Sequence, residues 1–174
     1  DMGKKYYKSN SGKNALLNLE KSLELFEAGE FIKQIGVAHN RIAMTYFYLF
    51  GNSKKAKKHW LKTLEIREEL SDSAGIARVK HYLGNAYQEL DSYKKAAEFY
   101  KESMEYWEVH HNVKKITQNL NSLGLLEKER ERYYFAEKYF IQLLSSLDKS
   151  DQQNKAKVIN NLGHLAFSKG NYGK

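Results

Sequence analysis

The side chains here that could take part in chemistry are histidines, lysines and amides, because cysteine is absent from all 174 residues. Without a thiol there is no cysteine nucleophile, no disulfide and no Cys-containing zinc site, although such an absence fits either redox compartment. His110-His111 is the obvious imidazole pair, but it stands in a turn-like His-His-Asn stretch with no Cys or carboxylate at ligand spacing. No serine elbow, phosphate loop or HExxH motif occurs. The sequence does not read as an enzyme, and neither a metal nor a cofactor is expected. Lys54, Lys55, Lys57 and Lys58 gather around Ala56, which reads as a solvated helix start rather than a phosphate patch. Elsewhere lysines are interspersed with glutamates, as in YKKAAEFYKESMEYWE, so the formal charge of +8 is spread out and nucleic acid is not the expected partner.

These residues must be positioned by helices. Proline, the strongest helix breaker, is absent. The richness in Lys, Glu, Leu, Ala, Asn and Tyr with few β-branched runs favours helix over sheet. No apolar run approaches the ~20 residues of a membrane span and no signal-like segment opens the chain. An all-α, soluble, cytoplasmic protein without a membrane partner is expected, and its length suffices for a real core.

Two ladders of small residues organise the chain. Leu83-Gly84, Leu123-Gly124 and Leu162-Gly163 fall 40 and 39 residues apart, and Ile42-Ala43 and Met2-Gly3 continue the series backwards. Ala15, Ala56, Ala96 and Ala136 form the second ladder, 12 or 13 residues behind the first. Small residues at such positions let two helix backbones approach, while Leu83, Tyr87, Phe99 and Tyr100, then Leu123, Leu126, Tyr139 and Phe140, fill the space around them. Turn chemistry separates the ladders at Asn52-Ser53, Asp91-Ser92 and Gly170-Asn171. Further turns are expected at Gly29, Ser71-Asp72-Ser73, His110-His111-Asn112 and Asp148-Lys149-Ser150-Asp151. Trp60 and Trp107 are expected in or near the core.

A Leu-Gly, an aromatic three residues on, a turn, then Tyr and Ala with an aromatic four later, best seen in HYLGNAYQELDSYKKAAEFYKES, resembles the tetratricopeptide repeat. Glu127 stands at the aromatic position of the third copy, and the closing proline is missing. A period near 40, against about 34 in the standard repeat, resembles the long-repeat subclass of kinesin light chains, spindle-orientation adaptors and bacterial peptide-sensing regulators. The resemblance implies a right-handed α-solenoid of antiparallel helix pairs, a superhelix whose first helices line a concave groove. It places there Asn40, Arg41 and Met44; His81, Tyr82 and Asn85; Asn121, Ser122 and Lys128; and Lys157, Asn160, Asn161 and His164. The recurring amide of Asn40, Asn121 and Asn160, with His81 in the series, offers donor and acceptor together and could clamp a peptide backbone. Arg41, Lys128 and Lys157 with few acids nearby point to an acidic protein or peptide partner.

By this register the chain reads as one array, 1–174, with units at about 1–29 (partial), 31–70, 74–110, 113–149 and 152–174 (partial). Gly3 would open it inside a first helix, and Tyr172 with Lys174 would close it before a second helix. With Tyr6 and Tyr7 at one end and Leu162, Leu165 and Phe167 at the other, neither end reads as a polar cap. A fragment of a longer protein is therefore expected, whose ends could associate with other copies. The expected function is a protein-interaction scaffold that holds an extended segment; the alternative is the peptide-sensing domain of a transcriptional or signalling regulator.

Overall fold

The structure is a computed structural model that describes residues 2–171, with side chains from 11 to 170. The side chains of Met2, Tyr6 and Tyr7, and the whole of Tyr172 and Lys174, lie outside the described residues. Eight α-helices and no strands account for the described chain: α1 Met2–Ala28, α2 Ile32–Tyr48, α3 Ser53–Glu69, α4 Ser73–Gln88, α5 Tyr93–Val109, α6 Val113–Glu129, α7 Tyr133–Ser146 and α8 Gln152–Asn171. The all-helical expectation holds. Consecutive helices pack on one another, α1 on α2, α2 on α3, α3 on α4, then α6 on α7 and α7 on α8. The contacts gather into two compact units, one running to Phe99 and one starting at Tyr100.

The turns explain why the helices are so regular in length. Glu30, Ser71, Asp91, His111 and Glu131 all adopt left-handed backbone, as does Gly51. After Ser71 the Asp72 N–H bonds back to the Arg67 carbonyl at 2.9 Å, and the Ser71 N–H reaches Glu68 at 3.0 Å. The same two bonds recur behind Glu30, Asp91, His111 and Glu131. They satisfy the orphan carbonyls of one helix in a single tight turn. The next residue then starts the following helix: Asn52, Asp72 and Asn112 accept hydrogen bonds from the amides of Lys55, Gly75 and Lys115. Stop and start share one residue, so a helix and its turn repeat every twenty or twenty-one residues.

α1 departs from this rhythm. Gly3 and Ala15 lie on one unbroken helix, although the ladder register expects a turn between them. Ser9-Asn10-Ser11-Gly12 has turn composition, yet Gly12 is buried and lets Phe50 approach so closely that an added Cβ would lie 3.2 Å from its ring.

The first unit is built on buried Ala43, Ala56, Trp60, Val79, Leu83 and Ala86, and the second on Leu120, Ala136, Phe140, Leu143, Val158 and Leu165. Ala43, Ala56, Ala96 and Ala136 are all fully buried, as close packing along the ladders requires. At Gly124 the space is taken by the Phe140 ring, which would lie 2.6 Å from an added Cβ, rather than by opposing backbone. Gly163, in the same register, faces open space.

Two stability predictions follow from this packing. Gly124→Ala should lose about 1–3 kcal/mol, because Phe140 is fully enclosed and cannot yield, whereas Gly163→Ala should gain roughly 0.5–1 kcal/mol from helix propensity; urea unfolding reads both. Ser71→Gly should stabilise by about 0.5–1 kcal/mol by relieving left-handed strain, and Gly51→Ala should do the reverse; equal effects of either sign would refute the assignment of strain to these turns.

Candidate functional site

The residues expected to line a groove divide by unit. In the first, α2 and α3 are tied together by a bond from the Trp60 indole N–H to Asn40 Oδ1 at 3.2 Å. Tyr82 stacks on the other face of this assembly, 5.4 Å from Trp60 at 15°, and Phe47 meets Trp60 at the same distance. Met44 packs against the same core, and His81 is buried. Asn40, Met44, His81 and Tyr82 thus contribute to the packing of α2, α3 and α4, with the acceptor side of the Asn40 amide already engaged. Asn85 is half-buried and hydrogen-bonds the exposed Tyr48, whose hydroxyl is pushed to a higher pKa by partial burial and by Tyr82 in spite of that bond. Arg41 is exposed and borders a cleft of about 420 Å³ between α1 and α2, with Phe26, Lys33 and Val37.

In the second unit Asn121, Ser122 and Lys128 are half-buried on α6. On α8 Lys157, Asn160 and His164 are exposed and Asn161 is half-buried. Of these, Asn121 and Lys157 come together, in a crevice of about 370 Å³ with Lys114, Thr117, Gln118, Asn154 and the apolar floor of Leu143, Leu147 and Val158.

A crevice at the same place in the register opens in the first unit, about 570 Å³, between Lys33, Gly36 and Val37 of α2, Ile66, Arg67 and Leu70 at the end of α3, and Asp72 and Arg78. Counted from Ala43 and Gly124, Lys33 and Lys114 both stand ten residues back; counted from Gly84 and Gly163, Arg78 and Lys157 both stand six back. Each crevice therefore has a cation from each of two successive first helices. Asp72 is the one acid among the lining residues of either, and it is engaged by Arg67 and the Gly75 N–H. Burial would raise its pKa, but the Gly75 amide and the neighbouring arginines hold the carboxyl below its ordinary value. In the second crevice the cations are accompanied by amides, which suits carboxylates and peptide backbone together. Asn121 and Lys157 were expected at a groove, whereas Lys33, Lys114 and Arg78 were not, although counting back from the ladders places them there.

The fold and this geometry can be set beside known proteins. A family model described as tetratricopeptide repeat matches residues 34–108. Those residues are tetratricopeptide repeats. The tetratricopeptide fold extends well beyond the matched segment. BtubC (BKLC) from P. vanneervenii superposes with a TM-score of 0.74 at 19% identity, over 90% of this chain and 68% of that one. A Podosopora anserina putative kinesin light chain with nearly identical TPR-like repeats gives 0.68 at 13% identity, over 95% and 87%. A single-substitution form of the latter gives 0.68 at 12%, over 95% and 86%. No curated protein matches the sequence significantly. The helix-and-turn step of twenty residues agrees with a long-repeat tetratricopeptide array. No helix among the described residues is long and apolar enough to cross a membrane.

One pair of titratable residues escaped the sequence reading. His39 of α2 and His59 of α3 meet with their Nδ1 atoms 3.0 Å apart, and Tyr46 stacks on His59 at 5.8 Å and 24°. Burial, then His39, Lys58 and Lys55, push the His59 pKa down to about 4. Burial also lowers that of His39, with Lys62 acting in the same direction and Glu27 and Glu65 opposing. Both rings stand where α2 faces α3, four residues before and three after the ladder alanines Ala43 and Ala56, which is the signal that could have found them.

Because these pKa values are depressed on folding, the unfolded chain binds more protons between its ordinary histidine pKa of about 6.5 and the folded value of about 4. The contribution of the neutral pair is thus full above the upper limit and lost as pH falls toward the lower. Thermal unfolding between pH 7 and 5 should show a falling midpoint, and His59→Phe, which installs the residue found at the equivalent position Phe99, should flatten that slope. An unchanged slope in the variant would assign it to other groups.

Proposed function

We propose that this chain is a protein-interaction scaffold that takes up an extended, carboxylate-bearing segment of a partner at the crevices between successive first helices. Tetratricopeptide repeats are as a class protein-interaction modules, commonly without catalysis of their own, and the assignment to 34–108 carries that much. The narrower reading rests on one observation: the same crevice occurs in both units, with a cation from each flanking first helix at the same register, Lys33 with Arg78 and Lys114 with Lys157. A carboxylate held by two such cations gains charge-assisted hydrogen bonds. In the second crevice Asn121 and Asn154 offer both donor and acceptor to the backbone between acidic side chains. The apolar floor of Leu143, Leu147 and Val158 would receive a flanking apolar residue. The partner is a protein or peptide.

The test uses two extended peptides of equal length, one bearing spaced glutamates and one with glutamine in their place, titrated into the chain by calorimetry. The glutamate peptide should bind more tightly, with affinity falling as salt rises. Lys114→Ala combined with Lys157→Ala should weaken binding about tenfold or more, in line with roughly 1.5–3 kcal/mol for a hydrogen bond to a charged group, while helix content and unfolding midpoint stay unchanged. Equal binding of the two peptides, or an unaffected double variant, would remove the reading.

A further inference from the structure

At the contact between a first helix and its partner, the second unit places Leu120 and Tyr139, four residues before Gly124 and three after Ala136. Leu120 is fully buried there. In α2 and α3 the same two positions hold His39 and His59, so an apolar contact is replaced by two half-buried imidazoles. They meet through like nitrogens, Nδ1 to Nδ1 at 3.0 Å, with ring centroids 5.2 Å apart and planes at 47°. Two neutral rings cannot bring two lone pairs that close unless something lies between them, either the proton of one Nδ1–H tautomer or a cation.

The separation suits a metal ion. Two imidazole nitrogens bound to a tetrahedral ion at about 2.0–2.1 Å stand roughly 3.3 Å apart, so the pair needs to open by only a few tenths of an ångström. The rings come from two helices packed against each other and locked by the nearby Trp60–Asn40 bond, so their spacing is held by the fold rather than by a loop. Glu27 of α1 and Glu65 of α3 act on His39 with Lys62 opposing them, and Lys58 and Lys55 act on His59. Among the described residues no group of three or more His, Cys, Asp or Glu gathers at one point. Water must therefore complete the coordination, and the half-exposed rings leave room for it.

We propose that His39 and His59 form a two-imidazole site for a divalent transition ion of the zinc, nickel or copper class, which fastens α2 to α3. Oxygen-preferring magnesium should not be taken up. Because the ion bridges two helices of the folded chain, binding should stabilise it by mass action.

The experiment records thermal unfolding of the chain with zinc, nickel or magnesium chloride, and in parallel maps histidine carbethoxylation by peptide mass spectrometry. Zinc and nickel should raise the midpoint and protect His39 and His59, and magnesium should do neither. His39→Asn and His59→Asn should each abolish the rise, while the His110→Asn, His111→Asn double variant should retain it. The footprint on the unaltered chain keeps the test valid if a variant folds poorly. No zinc-dependent protection of His39 and His59, or a midpoint rise that survives both single variants, overturns the proposal.

Discussion

The helices α1 to α6 are paced by the left-handed residue that ends each of them, whereas α7 ends on the extended Leu147. Because the residue after it both closes the old helix through a bond to the carbonyl five residues earlier (six at Asn52) and begins the new one, no slack is left between these helices. A connection so short admits only an antiparallel neighbour. Helix length is then fixed by the distance between successive turns, and the small-residue ladders can recur at a constant offset from them. The strain of placing Glu, Ser, Asp, His and Glu where glycine would sit more easily is offset by the carbonyls and amides that each turn satisfies.

A constant step has a consequence for recognition. Positions six and ten residues ahead of each ladder residue return to the same end of the first helix, so any charge placed there recurs in space beside the end of the intervening second helix. Lys33 and Arg78 in one unit and Lys114 and Lys157 in the other follow this rule. What differs is the second helix: Arg67 in the first unit and Leu147 in the second both stand eleven residues after their ladder alanine. Arg67 brings Asp72 with it as its counter-ion, while Leu147 leaves an apolar floor. The same register position thus carries two chemistries, on a helical residue in α3 and on an extended one just past the end of α7.

Periodicity made the helices, the buried alanines and most turns legible from the amino-acid order, because each depends on residues close in sequence or repeated at fixed spacing. What the amino-acid order does not reveal is decided by a partner from elsewhere. Gly12 stays helical in α1 where its neighbours favour a turn, and it receives Phe50, forty residues on. Asn40 and Asn121 look equivalent by register, yet only Asn40 has a tryptophan indole across from it, and that bond draws its acceptor oxygen into the packing. Gly124 makes room for a ring rather than for a backbone, which spacing alone cannot distinguish. His39 and His59 are unremarkable singly; their meaning lies in the 3.0 Å between them.

Glu127 shows how far the repeat tolerates departure. Tyr46 stacks on His59 and Tyr87 on Phe99, the latter at 5.4 Å and 15°, which joins first helix to second through ring faces. Glu127 takes the third such place, opposite Tyr139, and a lone carboxylate there would be costly. Arg130 and Arg132 both stand 3.2 Å from its oxygens, one just past the end of α6 and one just before the start of α7. Partial burial and the Glu127 charge push the Tyr139 hydroxyl to a higher pKa, with Arg132 opposing. Arg132 also lies 4.3 Å over the Phe135 ring. A stacked aromatic pair has thus been exchanged for a half-screened ion cluster in the same volume. The exchange is possible because the turn brings both arginines to the carboxylate whatever the side chain at that position, so the constraint that sets helix length also decides which substitutions the interior can accept.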